Sequence, residues 1–353
     1  MSGGVDSSVV AARVARRGLR AIGITLALWP RDRDVMRDRG CCSIDAVDDA
    51  RRVASSLGLP HYVWNLEREF EERVIDEFVE EHRQGRTPNP CVRCNQQVKF
   101  GLLLDRARAV GATHVATGHY ARAGRRGQAF TLHRARDERR DQSYVLHRLD
   151  QAQLGAALFP LGAVRSKDSV RTEAAAAHLA TAAKPESQDL CFVSSSVRDE
   201  LSRRLAGAFS AGAVLDQDGT EIGRHPGTPF LTVGQRSGFE VRPRRPDAAP
   251  LYVIEVRPAD NAVVVGPRDA LRRCTVEAMD CAWVSGSPPP QGAAVLVQLR
   301  AHGHQHQAAV DHAGAGAMRL RFRSAVEQVS PGQAVVLYDG DEVLGGGTVR
   351  RAA

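Results

Sequence analysis

Two spacings of apolar residues alternate along the first half of the chain. Residues 7–17 show helical spacing, and Gly18 follows as a C-terminal cap. Residues 21–29 form a short apolar run that is typical of a buried strand. A further helix is predicted between Ser43, a candidate N-cap, and Gly58, because its apolar residues recur on one face. The same reasoning predicts strands at residues 61–66 and 113–117 and helices at residues 69–83 and 95–110.

The pattern changes after about residue 205, where helical spacing disappears and Gly, Pro and Val become frequent. Short strands are predicted at residues 251–256, 262–265, 293–299, 308–310, 318–322 and 334–338, with a proline-rich loop at residues 285–292. The earlier strand–helix alternation indicates a parallel sheet covered on both faces, so three domains are predicted. They are an α/β domain at residues 1–205, a β-rich central domain at residues 206–272 and an all-β barrel at residues 273–353.

The composition is that of a soluble globular protein, with 43% apolar and 25% charged residues. No apolar run is long enough to span a bilayer and no leader precedes the first motif, so we expect a cytoplasmic protein.

The net charge of +7 and the pI of about 9.3 favour a polyanionic partner, although an arginine-rich, solvated surface would have the same charge. Eight arginines and three acidic residues lie between residues 121 and 148, which predicts a phosphate-backbone contact. The arginines are Arg122, Arg125, Arg126, Arg134, Arg136, Arg139, Arg140 and Arg148.

A glycine- and serine-rich loop opens the chain, and a predicted helix follows it directly. It consists of Ser2, Gly3, Gly4, Val5, Asp6, Ser7 and Ser8. Backbone amides of such a loop and the positive end of the helix bind phosphate, and Asp6 is a candidate ligand of Mg²⁺. The loop lacks the lysine of the P-loop NTPases and resembles the S-G-G-x-D-S loop of the ATP pyrophosphatases, which adenylate their substrates. Such a loop should follow a strand, so we expect the first strand of the sheet to be missing before Met1.

The seven cysteines are clustered in a way that does not suggest a secreted disulfide framework. Cys91 and Cys94 lie in a proline-framed loop at a helix N-terminus, where the dipole and Arg93 favour the thiolate. With Cys191 they admit three interpretations: a redox or persulfide pair, a metal or iron–sulfur site, or small buried residues. The remaining cysteines are Cys274 and Cys281, expected to pack in the barrel, and Cys41 and Cys42, to which no role is assigned.

Seven segments of the chain, in order, resemble motifs of the tRNA-specific 2-thiouridylase family. They are residues 2–8, 87–100, 116–122, 141–144, 187–192, 232–236 and 330–347, so the resemblance covers essentially the whole chain. It implies a Rossmann-like catalytic domain, a small central domain and a C-terminal β-barrel. It also implies a reaction in which ATP adenylates the C2 oxygen of uridine 34 in tRNA before sulfur replaces that oxygen. The alternatives are another adenylating enzyme with this loop and a non-catalytic tRNA-binding protein.

The same resemblance implies roles for individual residues. A persulfide on Cys191 would deliver sulfur, and Cys94 would attack that persulfide to release it. The residues that would contact ATP are Ser2, Gly3, Gly4, Val5, Asp6, Ser7, Leu26 and Gly118. Asn89, Pro90 and Cys91 would lie beside the target base. Further contacts with tRNA would come from His119, Arg140, Asp141, Gln142, Arg300, Ala301 and Gln333. The implied partners are tRNAs for Lys, Glu and Gln and a sulfur donor such as a cysteine desulfurase or relay protein, with the chain acting as a monomer.

Several positions depart from the family pattern. Arg140 replaces a frequent lysine, Ala301 a frequent aromatic residue and Leu26 a frequent methionine. Cys91 stands where some members have Asp, so Cys91, Cys94 and Cys191 together could instead hold a [4Fe–4S] cluster that carries sulfide. The alternating His302, His304 and His306 are expected to share one face of a strand, as an RNA-facing strip or as a metal site.

Overall fold

The computed structural model describes residues 1–28, 44–185, 190–193, 195–242, 249–327 and 329–353. Cys41, Cys42, Ser43 and residues 187–189 of one family motif lie outside these ranges. Among the described residues, none of the helices has the length and apolar character needed to cross a bilayer.

The described helices are α1 (Val5–Arg16), α2 (Ile44–Ser56), α3 (Glu67–Phe70), α4 (Asp76–Arg83), α5 (Pro90–Arg93), α6 (Leu103–Ala109), α7 (Gln151–Ala156), α8 (Lys167–Ala176) and α9 (Val197–Arg204). Two π-helices occupy Glu71–Ile75 and Cys94–Leu102. The strands of the first half are β1 (Gly23–Ala27), β2 (His61–Asn65), β3 (Val115–Ala116), β4 (Ala121–Arg126), β5 (Ala129–Arg134) and β6 (Ala157–Leu158). Those of the second half are β7 (Gly212–Leu215), β8 (Glu221–His225), β9 (Glu240–Val241), β10 (Tyr252–Arg257), β11 (Ala262–Gly266), β12 (Arg273–Trp283), β13 (Ala294–Gln298), β14 (Gln305–Ala313), β15 (Ala317–Val326), β16 (Ala334–Asp339) and β17 (Glu342–Ala352).

The chain divides into two compact units. The first comprises Met1–Val74, Arg93–Ser196 and Asp341–Val343, and the second comprises Ile75–Val92, Val197–Gly340 and Leu344–Ala353.

Parallel strand pairs in the first unit confirm the α/β pattern. β1 runs parallel to β2 with Gly23 opposite His61, and β3 runs parallel to β6 with Val115 opposite Ala157. The apolar face of α1 packs in one core with residues of α2 and α8, such as Val53 and Val170. The elements predicted for this half therefore exist, with ends shifted by a few residues.

Two predicted helices differ from the observed ones. The helix predicted at residues 69–83 is interrupted by the π-helix Glu71–Ile75, and the one predicted at residues 95–110 begins earlier, at Pro90. Proline suits the first turn of a helix because it has no backbone N–H to leave unpaired, which explains the earlier start. The wider π turns shift the helical register, and a search for a spacing of 3.6 residues does not detect them.

The hairpin of β4 and β5 was not predicted. The two strands pair antiparallel around a turn at Gly127 and Gln128, and Glu342, which belongs to the same unit, pairs with His133. The arginines of β4 occupy both faces of the strand and therefore obscure the alternation expected of a half-buried strand.

In the second unit, the central domain is a sheet in the order β10-β11-β7-β8-β9, with a core of Val214, Leu231, Val253, Val263 and Val265. The C-terminal strands follow the order β12-β15-β14-β13-β16-β17, and β12 also pairs with β17, so this barrel is closed. The closed six-stranded barrel confirms the predicted architecture. β12 and β17 themselves were missed, because their charged residues and glycines mask the apolar alternation.

Two expectations for the barrel are wrong in part. Cys281 packs against the barrel core as expected, whereas Cys274 is exposed. Of the three alternating histidines, only His306 lies in a strand, because β14 begins at Gln305. His302 and His304 lie in the preceding turn, so the three side chains do not line one strand face.

Candidate functional site

The backbone of the opening loop is shaped by Gly3. Its φ is +67°, and a Cβ built there would lie 2.2 Å from the carbonyl oxygen of Ala46. Only glycine meets both conditions without strain, so the loop lies directly on α2. Gly4 follows as the N-cap of α1 in an extended conformation. Because glycine has no side chain, it does not cap the helix N–H groups as serine or aspartate would. The first backbone amides of α1 are therefore available to an anion.

The serines of the loop hold its shape. Ser2 donates its backbone N–H and its hydroxyl to the Ser7 Oγ, at 3.1 and 3.2 Å. Ser7 and Ser8 donate their hydroxyls to the carbonyl oxygen of Gly4, at 3.0 and 2.9 Å. These bonds close the loop into a small cradle, as a phosphate-binding role requires. Val5 is buried in the core of the unit and anchors the cradle.

Asp6 accepts hydrogen bonds from two residues that sequence analysis missed. The Lys167 Nζ donates to both carboxylate oxygens at 2.7 Å, and the Tyr120 hydroxyl donates to Oδ1 at 2.7 Å. Lys167 is the first residue of α8 and Tyr120 precedes β4. No motif linked either residue to the loop, because the contacts join positions that are 114 and 161 residues apart along the chain.

Gly118 and Leu26 lie in the first unit with the loop. A Cβ at Gly118 would lie 2.9 Å from the Asp6 Cβ and 3.2 Å from the Ser7 backbone nitrogen, so the chain beyond β3 approaches the loop closely. Leu26 is half-buried on β1, opposite Trp64. The close approach at Gly118 therefore excludes a side chain at this position.

His119, which is expected to contact tRNA, is buried. Its Nδ1 is hydrogen-bonded to the Thr117 hydroxyl at 2.8 Å, and its ring packs against Phe100 and Phe159. Burial, with a smaller contribution from the positive charge of Lys99, holds the pKa of His119 well below its usual value. The imidazole is therefore neutral at physiological pH and cannot act as a cationic phosphate ligand.

The segment from Arg140 to Gln142 supports its neighbours. Asp141 is buried and accepts hydrogen bonds from Ala135 N, Ser143 N and Ser143 Oγ and from the Arg134 guanidinium. Gln142 is exposed, but its Oε1 accepts from Tyr120 N while its own N–H donates to Tyr120 O. Arg140 ends a short 3₁₀ helix and is half-buried.

The two cysteines with predicted catalytic roles both lie in the first unit. Cys94 begins the π-helix Cys94–Leu102 and is 7% exposed, and Cys191 is half-buried. Phe192, beside Cys191, packs edge-on against Phe70 of α3 with ring centroids 6.1 Å apart. Because α3 also contacts the π-helix, α3 links the segments that carry the two thiols.

Cys91 belongs to the second unit and is exposed. Its backbone N–H donates to the Asn89 Oδ1 at 3.1 Å, and Pro90 between them is buried. Among the described residues, no group of three or more His, Cys, Asp and Glu side chains could hold a metal ion. Cys94 and Cys191 thus share one unit, whereas Cys91, the third predicted cluster ligand, belongs to the other.

The loop that carries Asn89 is held at Thr87 within the second unit. Gln333 Nε2 donates to the Thr87 carbonyl oxygen at 2.9 Å, and the Thr87 N–H donates to the Pro331 carbonyl oxygen at 2.7 Å. The Thr87 hydroxyl donates to the Thr232 hydroxyl at 3.1 Å. Gln333, expected to touch tRNA, thus also positions the loop that would hold the target base.

Arg300 is exposed in the turn between β13 and β14, and Ala301 follows it. The buried Gln298 donates from Nε2 to the carbonyl oxygens of both residues, at 2.8 and 3.0 Å. The turn is therefore held by the strand end, which leaves the Arg300 side chain at the surface.

The arginine-rich segment is only partly available to a ligand. Arg134 and Arg148 form hydrogen bonds with Asp141 and Gln96, and Arg122 forms an ion pair with Asp341. Arg125, Arg126, Arg136 and Arg139 are exposed, although Arg126 pairs with Glu342. The predicted phosphate contact can thus involve about half of the eight arginines.

Comparisons with known proteins cover nearly the whole chain. Three family models match: a tRNA methyl transferase HUP domain at residues 1–195, a tRNA methyl transferase PRC-barrel domain at residues 199–267 and an aminomethyltransferase β-barrel domain at residues 273–349. The chain is 45% identical to the tRNA-specific 2-thiouridylase MnmA of Chloroflexus aurantiacus over 99% of this chain and 97% of that protein. It is 46% identical to the protein of the same name from Acidothermus cellulolyticus, over 99% and 96% of the two chains. The corresponding Streptomyces griseus protein is 44% identical over 99% and 93%.

Proposed function

The chain belongs to the tRNA-specific 2-thiouridylase family, and from that premise we propose that it uses ATP to replace the C2 oxygen of uridine 34 in tRNA with sulfur. It is an ATP-dependent tRNA sulfurtransferase. The single observation that carries this conclusion is the family match over 99% of the chain, with the glycine- and serine-rich loop shaped as a phosphate cradle.

The first chemical step is adenylation. The C2 oxygen of the uracil attacks the α-phosphorus of ATP, the bond to the β-phosphate breaks, and pyrophosphate leaves with the electron pair. The amides of Gly3, Gly4 and the start of α1 bind the phosphates, and Gly118, whose segment lies against the loop, contacts the nucleotide. Asp6, a partly exposed residue of this loop, would hold Mg²⁺, which would neutralise charge on the phosphates.

Sulfur transfer follows at the activated carbon. The terminal sulfur of a persulfide on Cys191 adds to C2, and AMP leaves with the former C2 oxygen. The Cys94 thiolate then attacks the Cys191 Sγ and breaks the sulfur–sulfur bond. The products are 2-thiouridine and a Cys94–Cys191 disulfide, which a cellular dithiol must reduce before the next turnover. Cys94 is buried and Cys191 half-buried, so both thiols are shielded in part from water.

Recognition of tRNA is assigned to residues of both units. Asn89, Pro90 and Cys91 lie beside the target base, which must leave the stacked anticodon loop to expose its C2 edge. The exposed Gln142 and Arg300 contact the tRNA directly, with Arg140 and Ala301 beside them. His119, Asp141 and Gln333 act by positioning, because their side chains bind other parts of the protein.

The sulfur donor is proposed to be a cysteine desulfurase or a sulfur-relay protein, the substrates to be tRNAs for Lys, Glu and Gln, and the active form to be a monomer. The persulfide route is preferred to a [4Fe–4S] cluster, because it needs only Cys94 and Cys191, which both lie in the first unit. Iron and acid-labile sulfide in anaerobically purified, active protein would contradict this preference.

The experiment that tests the function uses a bacterium that lacks wobble 2-thiolation. The gene is expressed there as wild type, Cys191→Ala or Cys274→Ala, and the tRNAs are resolved on a mercury-affinity gel. Cys274 is the matched control, because it is an exposed cysteine of the barrel. Cells that express the wild type or Cys274→Ala should contain retarded, thiolated tRNA for Glu, Gln or Lys. Cells that express Cys191→Ala should contain none.

Two results would contradict the proposal. If cells with Cys191→Ala contain as much retarded tRNA as cells with the wild type, Cys191 is not the sulfur carrier.

If the folded wild type yields no retarded tRNA, the proposed reaction is wrong. Assays of ATP–pyrophosphate exchange and of tRNA binding then distinguish the two alternative functions. ATP–pyrophosphate exchange driven by a substrate other than tRNA would indicate another adenylating enzyme. Salt-dependent tRNA binding without exchange would indicate a non-catalytic binding protein.

A further inference from the structure

The helix that begins with Cys94 is of an unusual type. Cys94–Leu102 form a π-helix, in which the backbone hydrogen bonds span one residue more than in an α-helix. Such helices are rare, usually one turn long and frequent at functional sites, whereas this one has nine residues. The surrounding contacts must therefore stabilise its wide turns against the regular α-helix.

One side chain, that of Gln153, binds two successive turns of this π-helix. Its Nε2 donates hydrogen bonds to the carbonyl oxygens of Gln96 and Phe100, both at 3.0 Å. A side-chain amide has two N–H groups, so both bonds can form at once. Gly101 lies at the same place, since a Cβ there would be only 3.1 Å from the Gln96 carbonyl oxygen. The carbonyl that Gln153 binds is therefore closely packed.

Gln153 is itself fixed at the start of α7. Its backbone N–H donates to the Asp150 carboxylate at 2.8 Å, and its Oε1 accepts from the Asp150 N–H at 3.1 Å. These two bonds form a capping box, which glutamate completes as well as glutamine does. Only glutamine also has donors for the π-helix. The cap therefore explains the acceptor of Gln153, and the π-helix explains its donors.

The first turn of the π-helix has further bonds to the same part of the chain. Gln96 Oε1 accepts from the Arg148 Nε at 2.9 Å, and Asn95 Nδ2 donates to the Val145 carbonyl oxygen at 3.3 Å. Residues 145–153 thus hold both residues that follow Cys94. Gln153 differs from the other contacts in binding the backbone of the helix, whose hydrogen bonds define the register.

The later part of the helix is anchored in the protein. Val98, Phe100 and Leu104 are 0%, 1% and 2% exposed. If Gln153 no longer bound the Gln96 carbonyl oxygen, a return to regular α turns would therefore rotate the other end, where Cys94 lies.

We propose that Gln153 is a positioning residue for Cys94, holding the π register that directs the thiol to the persulfide on Cys191. The inference rests on the proposed function. In that reaction the Cys94 thiolate bonds to the Cys191 Sγ as the sulfur–sulfur bond breaks, and the electron pair of that bond stays with the sulfur on C2. The resulting disulfide requires Cα atoms within about 7 Å of each other, so a rotated Cys94 would form it less readily. Both cysteines and Gln153 lie in the first unit.

The test compares Gln153→Glu with Gln151→Glu. The first substitution keeps the acceptor of the capping box and removes the donors to the π-helix. Gln151 is the matched control, because it also lies in the first turn of α7 and binds a backbone. Its Oε1 accepts from the Phe130 N–H at 2.7 Å, and its Nε2 donates to the Phe130 carbonyl oxygen at 2.8 Å. Each substitution removes one amide group and adds one negative charge, but only Gln153→Glu affects the π-helix.

The measurement is the equilibrium of each full-length protein with reduced and oxidised glutathione. The thiols of Cys94 and Cys191 are oxidised to a disulfide while oxidised glutathione is reduced to two thiols. Mass spectrometry of the peptide pair that contains both cysteines measures the fraction oxidised. The wild type and Gln151→Glu should have the same equilibrium constant, whereas that of Gln153→Glu should be lower by about tenfold or more.

The variants should also differ in the reaction itself. Cells that express Gln153→Glu should contain less retarded tRNA on the mercury-affinity gel than cells that express Gln151→Glu. ATP–pyrophosphate exchange should be unchanged in both, because adenylation uses neither thiol.

Equal equilibrium constants for Gln153→Glu and Gln151→Glu would overturn the proposal, as would a wild type that forms no disulfide between Cys94 and Cys191. A purely structural role of Gln153 would lower the midpoint of urea denaturation and leave the equilibrium constant unchanged. If Gln153→Glu does not fold, Gln153→Met and Gln151→Met provide the same comparison without the added charge. A disulfide equilibrium that depends on Gln153, in a protein that fails to thiolate tRNA, would support this inference while the proposed function fails.

Discussion

At the scale of single residues, the phosphate loop depends on atoms that lie within a few ångströms of one glycine. Gly3 has the same φ, +67°, as Gly18 at the end of α1. A Cβ at Gly3 would collide with the backbone of Ala46, whereas a Cβ at Gly18 would meet no atom within 4 Å. A comparison of substitutions at these two positions therefore distinguishes two effects. One is the cost of a positive φ for a residue other than glycine, and the other is the lack of room for a Cβ at Gly3.

We predict that Gly18→Ala lowers the free energy of unfolding by about 1 kcal/mol, the cost of a left-handed conformation, and leaves ATP–pyrophosphate exchange unchanged. Gly3→Ala should reduce exchange about 100-fold, because the loop must move away from α2 and misplace the phosphates. Urea denaturation and exchange assays on both variants measure the two effects. Equal exchange in the two variants would show that the contact with Ala46 does not shape the site.

At the scale of secondary-structure elements, α4 places an ionisable group in a buried contact. His82 is 6% exposed; its ring packs on Phe78 and its Nδ1 is hydrogen-bonded to the Pro229 carbonyl oxygen. Burial lowers the pKa of His82 to about 4, although the carbonyl and the charge of Glu81 oppose that shift. The native state therefore disfavours the protonated form more than the unfolded state does, where the pKa is near 6.5.

The sign of this shift predicts acid sensitivity. Stability from His82 is fully present above pH 6.5 and is lost as the pH falls towards 4, because the unfolded state then binds the extra proton. The loss should amount to roughly 3 kcal/mol over that window. Urea denaturation at several pH values should show it as a slope that His82→Gln removes. An unchanged slope in His82→Gln would assign the acid sensitivity to other groups.

Two π-helices illustrate what element-level patterns miss. Cys94 begins one of them, and the wider turns displace the residues that follow relative to a regular α-helix. Apolar spacing predicted that a helix exists there. It could not predict the register of the residues that follow Cys94 in the π-helix.

At the scale of the whole molecule, the positive charge is distributed unevenly between internal pairs and surface. Arg136 and Arg139 of the arginine-rich segment are exposed, whereas Arg134 and Arg148 bind other residues of the unit. Only the exposed arginines can neutralise tRNA phosphates. The net charge of +7 therefore overstates the charge available to tRNA at this segment.

We predict that the double variant Arg136→Gln, Arg139→Gln weakens tRNA binding and reduces the slope of log K against log salt by about 1.4, since each single-strand phosphate contact contributes about 0.7. The matched control is Arg51→Gln, Arg52→Gln, which removes the same charge from the exposed side of α2. Filter binding at several salt concentrations measures both slopes. Equal slopes for the two double variants would mean that net charge, not this segment, attracts the tRNA.

The family, the three-part architecture and the phosphate loop could all be predicted from the amino-acid sequence. The loop could be read because its chemistry is local: consecutive residues supply the amides, the hydroxyls and the helix end that bind phosphate. The barrel could be predicted because most of its strands show clear apolar runs, whereas the charged β12 and the glycine-rich β17 do not.

Which side chains contact the phosphate loop, and which contact other parts of the protein, could be known only from the fold. Lys167 reaches Asp6 across 161 positions, and Gln333 reaches Thr87 across 246 positions. Asp141, which the family motif assigns to tRNA, is instead buried among Ala135, Ser143 and Arg134. These contacts depend on how helices and strands pack, because the fold brings together side chains that are far apart in the sequence.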